Sequence, residues 1–130
     1  MAPTSTLPEW LARSLEALKS GNVDGYLEMY APDAVHEFPF APEGAPRRLE
    51  GRAEIAAYMR GLPGLLRFGP FTDIRVRQAE DETIVEFTGH HHSVADDAPR
   101  DIDYVFIITR RAGKVTHIRD YMNPLQLVAA

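Results

Sequence analysis

The sequence of 130 residues contains no cysteine. This absence excludes disulfide bonds, thiolate nucleophiles and cysteine-based zinc sites, so packing must hold the fold together, and a reducing cytoplasm is the expected location. Positive charge is also scarce, because 14 Lys and Arg stand against 19 Asp and Glu for a net charge of -5. Since the basic residues are scattered along the chain, we expect no nucleic-acid partner.

Long apolar runs are missing as well. No stretch approaches the roughly 20 apolar residues of a membrane-spanning helix, and the opening MAPTSTLPEW lacks the basic and apolar regions of a secretion signal. We therefore expect a soluble cytoplasmic protein with no membrane partner. With 45% hydrophobic residues the chain can bury one sizeable core, so we predict a single domain over residues 1–130.

Helical periodicity dominates the first half of the chain. Thr6 and Glu9 have the spacing of a capping box, and a helix ending near Gly21 is predicted by the apolar stripe that follows, Leu7, Trp10, Leu11, Leu15 and Leu18. Asn22 can cap a second, shorter helix that Pro32 would end. A third helix is predicted for residues 52–60, RAEIAAYMR.

Strand patterns occupy the rest. Residues 34–40, AVHEFPF, predict a short strand with His36, Phe38 and Phe40 on one face, followed by a Pro- and Gly-rich loop that we expect to be mobile and near an opening. Four longer alternating segments follow the third helix: FTDIRVRQA, ETIVEFTGHHHSV, DIDYVFIITRR and KVTHIRDYM. Helices followed by an antiparallel meander predict an α+β fold, with the helices on one face of a curved sheet.

The last predicted strand carries a carboxylate on its apolar face. Alternation places Ile118, Asp120 and Met122 on the same side. An unpaired buried carboxylate is costly, so Asp120 must be hydrogen-bonded, protonated or functional. Asp120 is therefore the first candidate for catalysis, and an ion pair with Arg119 or Arg100 is the structural alternative.

Three consecutive histidines lie on the second long strand. His90 and His92 share one face, whereas His91 lies on the apolar face with Phe87, so at most two of the three can meet one ion. We therefore predict no metal site. His91 is a candidate for a neutral pocket base or hydrogen-bond donor, and a solvated or dimer-facing histidine is the alternative.

A further group of residues is predicted to line a pocket. Some combine an apolar body with a polar tip, and the others lie on the apolar faces of the predicted strands. Ordinary core packing is the alternative for each, but together they predict a pocket wall suited to a small apolar organic ligand. The predicted substrate-binding residues are Tyr58, Phe38, Phe40, His36, Phe87, Trp10, Tyr30, Ile118 and Met122.

Two segments resemble known families. Residues 18–39, LKSGNVDGYLEMYAPDAVHEFP, resemble the opening of ketosteroid isomerases, and residues 118–127, IRDYMNPLQL, resemble the last strand of the phenazine-biosynthesis A/B proteins. Both groups belong to the nuclear-transport-factor-2-like superfamily, with the SnoaL-like polyketide cyclases. The resemblance implies a cystatin-like α+β barrel: a cone-shaped, mostly antiparallel sheet wrapped around three helices, with an apolar pocket open at one end, in a homodimer.

The family sites carry over only in part. The general base of ketosteroid isomerases corresponds to Phe38 and their tyrosine donor to Ser14, whereas their protonated aspartate donor corresponds to Asp103. The acid of the phenazine proteins corresponds to Asp120. Their helix histidine corresponds to Tyr58, so neither family's reaction is implied as it stands.

These observations lead to one main hypothesis and two alternatives. The main one is a small-molecule enzyme that needs no cofactor and carries out proton transfer, isomerisation or cyclisation on an apolar carbonyl compound. Asp120 would be the acid or base, Asp103 on the neighbouring strand the oxyanion donor or proton partner, and His91 and Tyr58 accessory hydrogen-bonding groups. The alternatives are a non-catalytic ligand-binding or partner-binding module, and a lyase or dehydratase using His91 with Asp103.

Overall fold

The computed structural model describes residues 4–126, which form three α-helices and seven strands. The helices are α1 (Glu9–Lys19), α2 (Val23–Leu27) and α3 (Gly51–Gly61). The strands are β1 (Tyr30–Glu37), β2 (Arg48–Glu50), β3 (Leu66–Arg67), β4 (Phe71–Ala79), β5 (Glu82–Ser93), β6 (Pro99–Arg111) and β7 (Lys114–Asp120). Short 3₁₀ turns lie at Leu62–Gly64 and Pro124–Gln126.

All seven strands belong to one sheet. Its order is β2-β1-β7-β6-β5-β3, and β4 also pairs with β5. Strand β1 runs parallel to β7, and every other pairing among the described residues is antiparallel. This architecture confirms the predicted α+β fold with a curved, mostly antiparallel sheet.

The helices are positioned by their apolar stripes and their caps. On α1, Leu11, Leu15 and Leu18 are buried in the core formed with the inner face of the sheet. The predicted capping box is wrong, because Pro8 occupies the N-cap of α1 and makes no side-chain cap bond. The predicted cap of α2 is confirmed, since Asn22 Oδ1 accepts a hydrogen bond from the Gly25 amide at 3.0 Å.

The segments around α2 and α3 differ from the prediction in two places. Helix α2 ends at Leu27 without help from Pro32, which instead lies within β1, where the register against β7 is irregular. The loop that we expected to be mobile contains the three residues of β2, which pair with the end of β1. Among residues 4–126, no helix is both long and apolar enough to span a bilayer.

Candidate active site

A cavity lies between the helices and the inner face of the sheet. Its empty volume, including the space at its open mouth, is about 690 Å³. Its wall is mostly aromatic and aliphatic. Of the predicted site residues, it receives His36, Phe38, Tyr58, Phe87, His91, Asp120 and Met122. Three residues that were not among the predicted ones line it as well: Lys19, Tyr26 and Tyr104.

Asp120 ends β7 and is only 6% exposed, as its position on the apolar face predicted. Its Oδ2 lies 3.0 Å from Nε2 of His36, which the parallel pairing of β1 with β7 brings alongside. Burial raises the pKa of the Asp120 carboxyl, and the hydrogen bond to His36 opposes that rise. Within residues 4–126, Oδ1 is buried and has no hydrogen-bond partner, so the carboxylate keeps one acceptor oxygen for a ligand group that reaches it.

His36 connects Asp120 to two buried tyrosines. Its Nδ1 lies 2.9 Å from the hydroxyl of Tyr30, which lies 2.7 Å from the hydroxyl of Tyr26. Burial raises the pKa of both tyrosines, so both hydroxyls stay protonated at neutral pH. With Tyr30 donating to Nδ1, the ring proton of His36 lies on Nε2 and is donated to Asp120, which holds the carboxylate in one orientation.

A second polar pair, His91 on β5 and Tyr104 on β6, also lines the cavity. The Gly69 amide donates to Nδ1 of His91 at 3.1 Å, so the proton of the neutral ring must lie on Nε2. That nitrogen lies 3.0 Å from the hydroxyl oxygen of Tyr104. Since Nε2 donates to this oxygen, the Tyr104 hydroxyl hydrogen is free to be donated into the cavity.

His91 stays neutral because of where it lies. Its side chain is fully buried, and burial, with smaller contributions from His90 and Lys19, lowers the pKa of its imidazole to about 4. The ring fits only because residue 89 is glycine: a Cβ there would lie 2.3 Å from Nε2 of His91. The predicted inward placement of His91 is thus confirmed.

Asp103 does not face the cavity, and the predicted pairing with Asp120 is wrong. On β6 the buried neighbour is Ile102, and alternation turns Asp103 to the outer face, where Thr88 Oγ1 donates to it at 2.7 Å. This bond, followed by one from Gln126, lowers the pKa of the Asp103 carboxyl. The residue paired with Asp120 across β6 and β7 is Phe106. His91 and Asp103 likewise lie on opposite faces, which removes the geometry of the lyase alternative.

Four predicted binding residues lie outside the main cavity. Trp10 packs under Arg110, whose guanidinium carbon lies 4.2 Å from the centre of the Trp10 ring. Tyr30 and Ile118 are fully buried in the core behind the wall. Phe40 is 58% exposed, because the strand ends at Glu37 before the alternation can turn it inward.

A smaller cavity of about 390 Å³ adjoins the main one under residues 40–46. The two cavities share Phe38, Tyr58, Asp120 and Met122. Asp120 therefore lies where they meet, and Phe40 lines the smaller one. A ligand at the carboxylate can extend in either direction.

The three histidines separate as the alternation predicted. His90 is on the outer face, 2.8 Å from Asp101 and 2.7 Å from Thr72, whereas His91 is inside. Within the described part of the chain, no group of three or more His, Asp or Glu residues is arranged to hold a metal ion. That the protein uses neither metal nor cofactor stays a prediction.

Known proteins resemble this chain over most of its length. Among curated proteins, an uncharacterised PhzA/B-like protein of Pseudomonas aeruginosa is 34% identical and matches 94% of this chain and 87% of its own. A crystal structure of a provisionally named isomerase from Bacillus subtilis has a TM-score of 0.86 at 32% identity, covering 91% of this chain and 86% of that one. A provisionally named polyketide cyclase of Pseudomonas putida, 24% identical with a TM-score of 0.74, shares the fold and covers 92% and 93%.

The family model of the SnoaL-like domain matches residues 11–118, from the first buried leucine of α1 to the centre of β7. That range covers α1 from its third residue, α2, α3, the sheet as far as Ile118, and the cavity lining except Asp120 and Met122. The chain therefore belongs to the SnoaL-like family, with the NTF2-like fold.

Proposed function

We propose that this protein is an isomerase or cyclase that moves a proton on an apolar carbonyl compound bound in the main cavity, without a cofactor. The observation that carries the proposal is the buried Asp120 carboxylate, held through one oxygen by His36 and unpaired at the other. The names of the isomerase and polyketide cyclase structures support the same reaction class.

Asp120 would act as the base. It takes a proton from the carbon next to the substrate carbonyl, the C–H electron pair becomes the enolate C=C bond, and negative charge develops on the carbonyl oxygen. In isomerisation Asp120 returns the proton to a different carbon. In cyclisation the enolate carbon attacks a second carbonyl of the same molecule, and the proton goes to the new alkoxide.

Tyr104 replaces Asp103 as our candidate for the oxyanion donor. Its hydroxyl hydrogen is free for the substrate because His91 already donates to its oxygen. The negative charge of Asp120 contributes to the raised pKa of Tyr104, so the two groups lie within electrostatic reach of each other. Tyr58 on α3, whose pKa is raised by burial and by the charge of Asp120, is a second candidate donor in the same cavity. A positioned base and a preorganised donor are sufficient for enolate chemistry.

The proposal is tested by hydrogen exchange on small enolisable cyclic ketones in D₂O, followed by NMR. We expect Asp120→Asn to slow catalysed exchange ~10²–10⁴-fold, the contribution of general base catalysis. Tyr104→Phe should cost ~10²-fold, as loss of one oxyanion donor does. Asp103→Asn is the matched control and should leave the rate unchanged, since Asp103 lies on the outer face.

Two results would overturn the proposal. Equal exchange rates for the wild type and Asp120→Asn would show that Asp120 is not the base. Binding of the ketones with no exchange above background would favour the non-catalytic binding module instead. Thermal unfolding of each variant separates a lost reaction from a lost fold.

A further inference from the structure

The main cavity has a cation at its other end. Lys19 is the last residue of α1, and its ammonium lies 5.0 Å from the centre of the Phe71 ring. The side chain is 22% exposed, so its aliphatic part is covered while its charge reaches the cavity edge. Among the residues of the described range 4–126 that line the main cavity, Lys19 is the one basic residue apart from histidines, and Asp120 is the one acid.

Lys19 and Asp120 lie at opposite ends of the cavity. The Lys19 end opens into a surface groove, which shares Leu18, Lys19, Leu66 and Phe68 with the main cavity. The Asp120 end adjoins the smaller cavity through a different set of residues. A ligand that starts at the carboxylate and is long enough to span the cavity therefore reaches the ammonium.

The charges around Lys19 leave it available to a ligand. Its ion pair is with Glu16, one turn back on α1, at 3.2 Å, and the Glu16 side chain is 71% exposed. Such a solvent-screened pair contributes little, and an ammonium has three hydrogens to donate. Arg67, half-exposed in the same groove, is already paired with Asp97, so its charge is largely balanced there.

We propose that Lys19 binds an anionic group of the ligand, so that the natural substrate is an amphipathic organic acid. Its carboxylate, or another oxyanion, lies at the Lys19 end, and its apolar body fills the aromatic wall. That the reacting carbonyl lies at Asp120 rests on the proposed function. The proposal that Lys19 binds the anion does not depend on that function, because binding requires no catalysis.

Two fluorescent dyes test this proposal without any turnover. Anilinonaphthalene sulfonate and N-phenylnaphthylamine have the same ring system, but only the first carries a negative charge. We expect Lys19→Met, which keeps an unbranched apolar side chain but removes the charge, to raise the Kd of the sulfonate about tenfold, as loss of a charged hydrogen bond does. The Kd of the neutral dye should stay within about twofold.

Matched variants complete the test. Lys114→Met removes the other lysine of the chain, which lies in β7 and bonds to the Glu28 carbonyl at 2.7 Å, and should change neither Kd. Glu16→Gln should tighten sulfonate binding alone, because it removes the competing charge.

Three outcomes would overturn the proposal: no sulfonate binding by the wild type, equal loss of both dyes in Lys19→Met, or no loss of either. All three are independent of catalysis. A failure of the exchange assay with Asp120→Asn would therefore leave this result standing, and the reverse holds as well.

Discussion

At the scale of single residues, environment gives two aspartates opposite properties. Asp120 is buried, which raises its carboxyl pKa, whereas Asp103 lies on the outer face and accepts hydrogen bonds that lower its pKa. A base needs a pKa close enough to the working pH to hold a proton during the reaction. Only the buried carboxylate is moved in that direction, which supports Asp120 over Asp103 as the proton carrier.

The depressed pKa of His91 predicts a pH-dependent stability. In the folded protein the ring stays neutral down to about pH 4, whereas in the unfolded chain it takes up a proton below the ordinary histidine pKa of 6.5. Stability from His91 is therefore complete above pH 6.5 and is lost as the pH falls towards 4. At ~1.4 kcal/mol per unit, the loss reaches about 3 kcal/mol.

This loss is measured by urea unfolding of the wild type and of His91→Gln between pH 8 and 4. We expect the wild-type advantage in unfolding free energy to shrink with acidification. Asp120 acts in the opposite direction, because a raised carboxyl pKa favours the folded state at low pH, but it is present in both proteins and cancels. An advantage that stays constant across the range would contradict the prediction.

Alternation along the strands predicted part of the site, and the family resemblance misled us elsewhere. The two-residue period of β5 and β7 correctly placed His91 and Asp120 inside. Asp103 was selected from its correspondence to a family donor. The same period, however, points its side chain to the face opposite that of its buried neighbour Ile102. Tyr104 was missed, even though it lies near the buried Phe106 on β6, because a tyrosine in a strand carries no chemical signal of its own.

At the scale of elements, long strands were predictable and short ones were not. Strand β4 has the predicted bounds, whereas β2 and β3 have three and two residues, too few to show an alternation. Short segments nevertheless position the site. The backbone after β3 passes so close to β5 that Gly69 donates to His91 and has no room for a side chain.

Substitution of Gly69 tests how this crossing supports the site. A Cβ at residue 69 would lie 1.7 Å from the His90 carbonyl oxygen, so the backbone must move and the bond to His91 is lost. We expect Gly69→Ala to lower the unfolding free energy by more than ~3 kcal/mol, in the range of severe backbone strain. Gly64→Ala, where nothing lies within 4 Å, is the matched control and should change it by less than ~0.5 kcal/mol. Equal stability of the two variants, measured by urea unfolding, would contradict the prediction.

At the scale of the whole molecule, topology creates the contact on which the proposed chemistry depends. His36 and Asp120 are 84 residues apart and meet because β7 inserts between β1 and β6, parallel to β1. Local patterns predict hairpins, because a short turn between two strands that are consecutive in the sequence indicates that they pair. A parallel pairing between the first and last strands leaves no such signal, so His36 was selected as a wall residue and its partner was not identified.

The outer face of the sheet predicts the assembly of the molecule. Ile84 and Ile107 pair directly across β5 and β6, with Val105 beside them, and all three are half-buried on the side away from the cavity. The family resemblance implied a homodimer, and this aliphatic patch is our candidate for its centre. We expect sedimentation equilibrium at micromolar concentration to give twice the mass of the chain, and Ile107→Glu to give a monomer. Val94→Glu, at an exposed aliphatic elsewhere, should remain dimeric. A monomeric wild type would contradict the prediction, as would dissociation of both variants, because the patch would then have no special role.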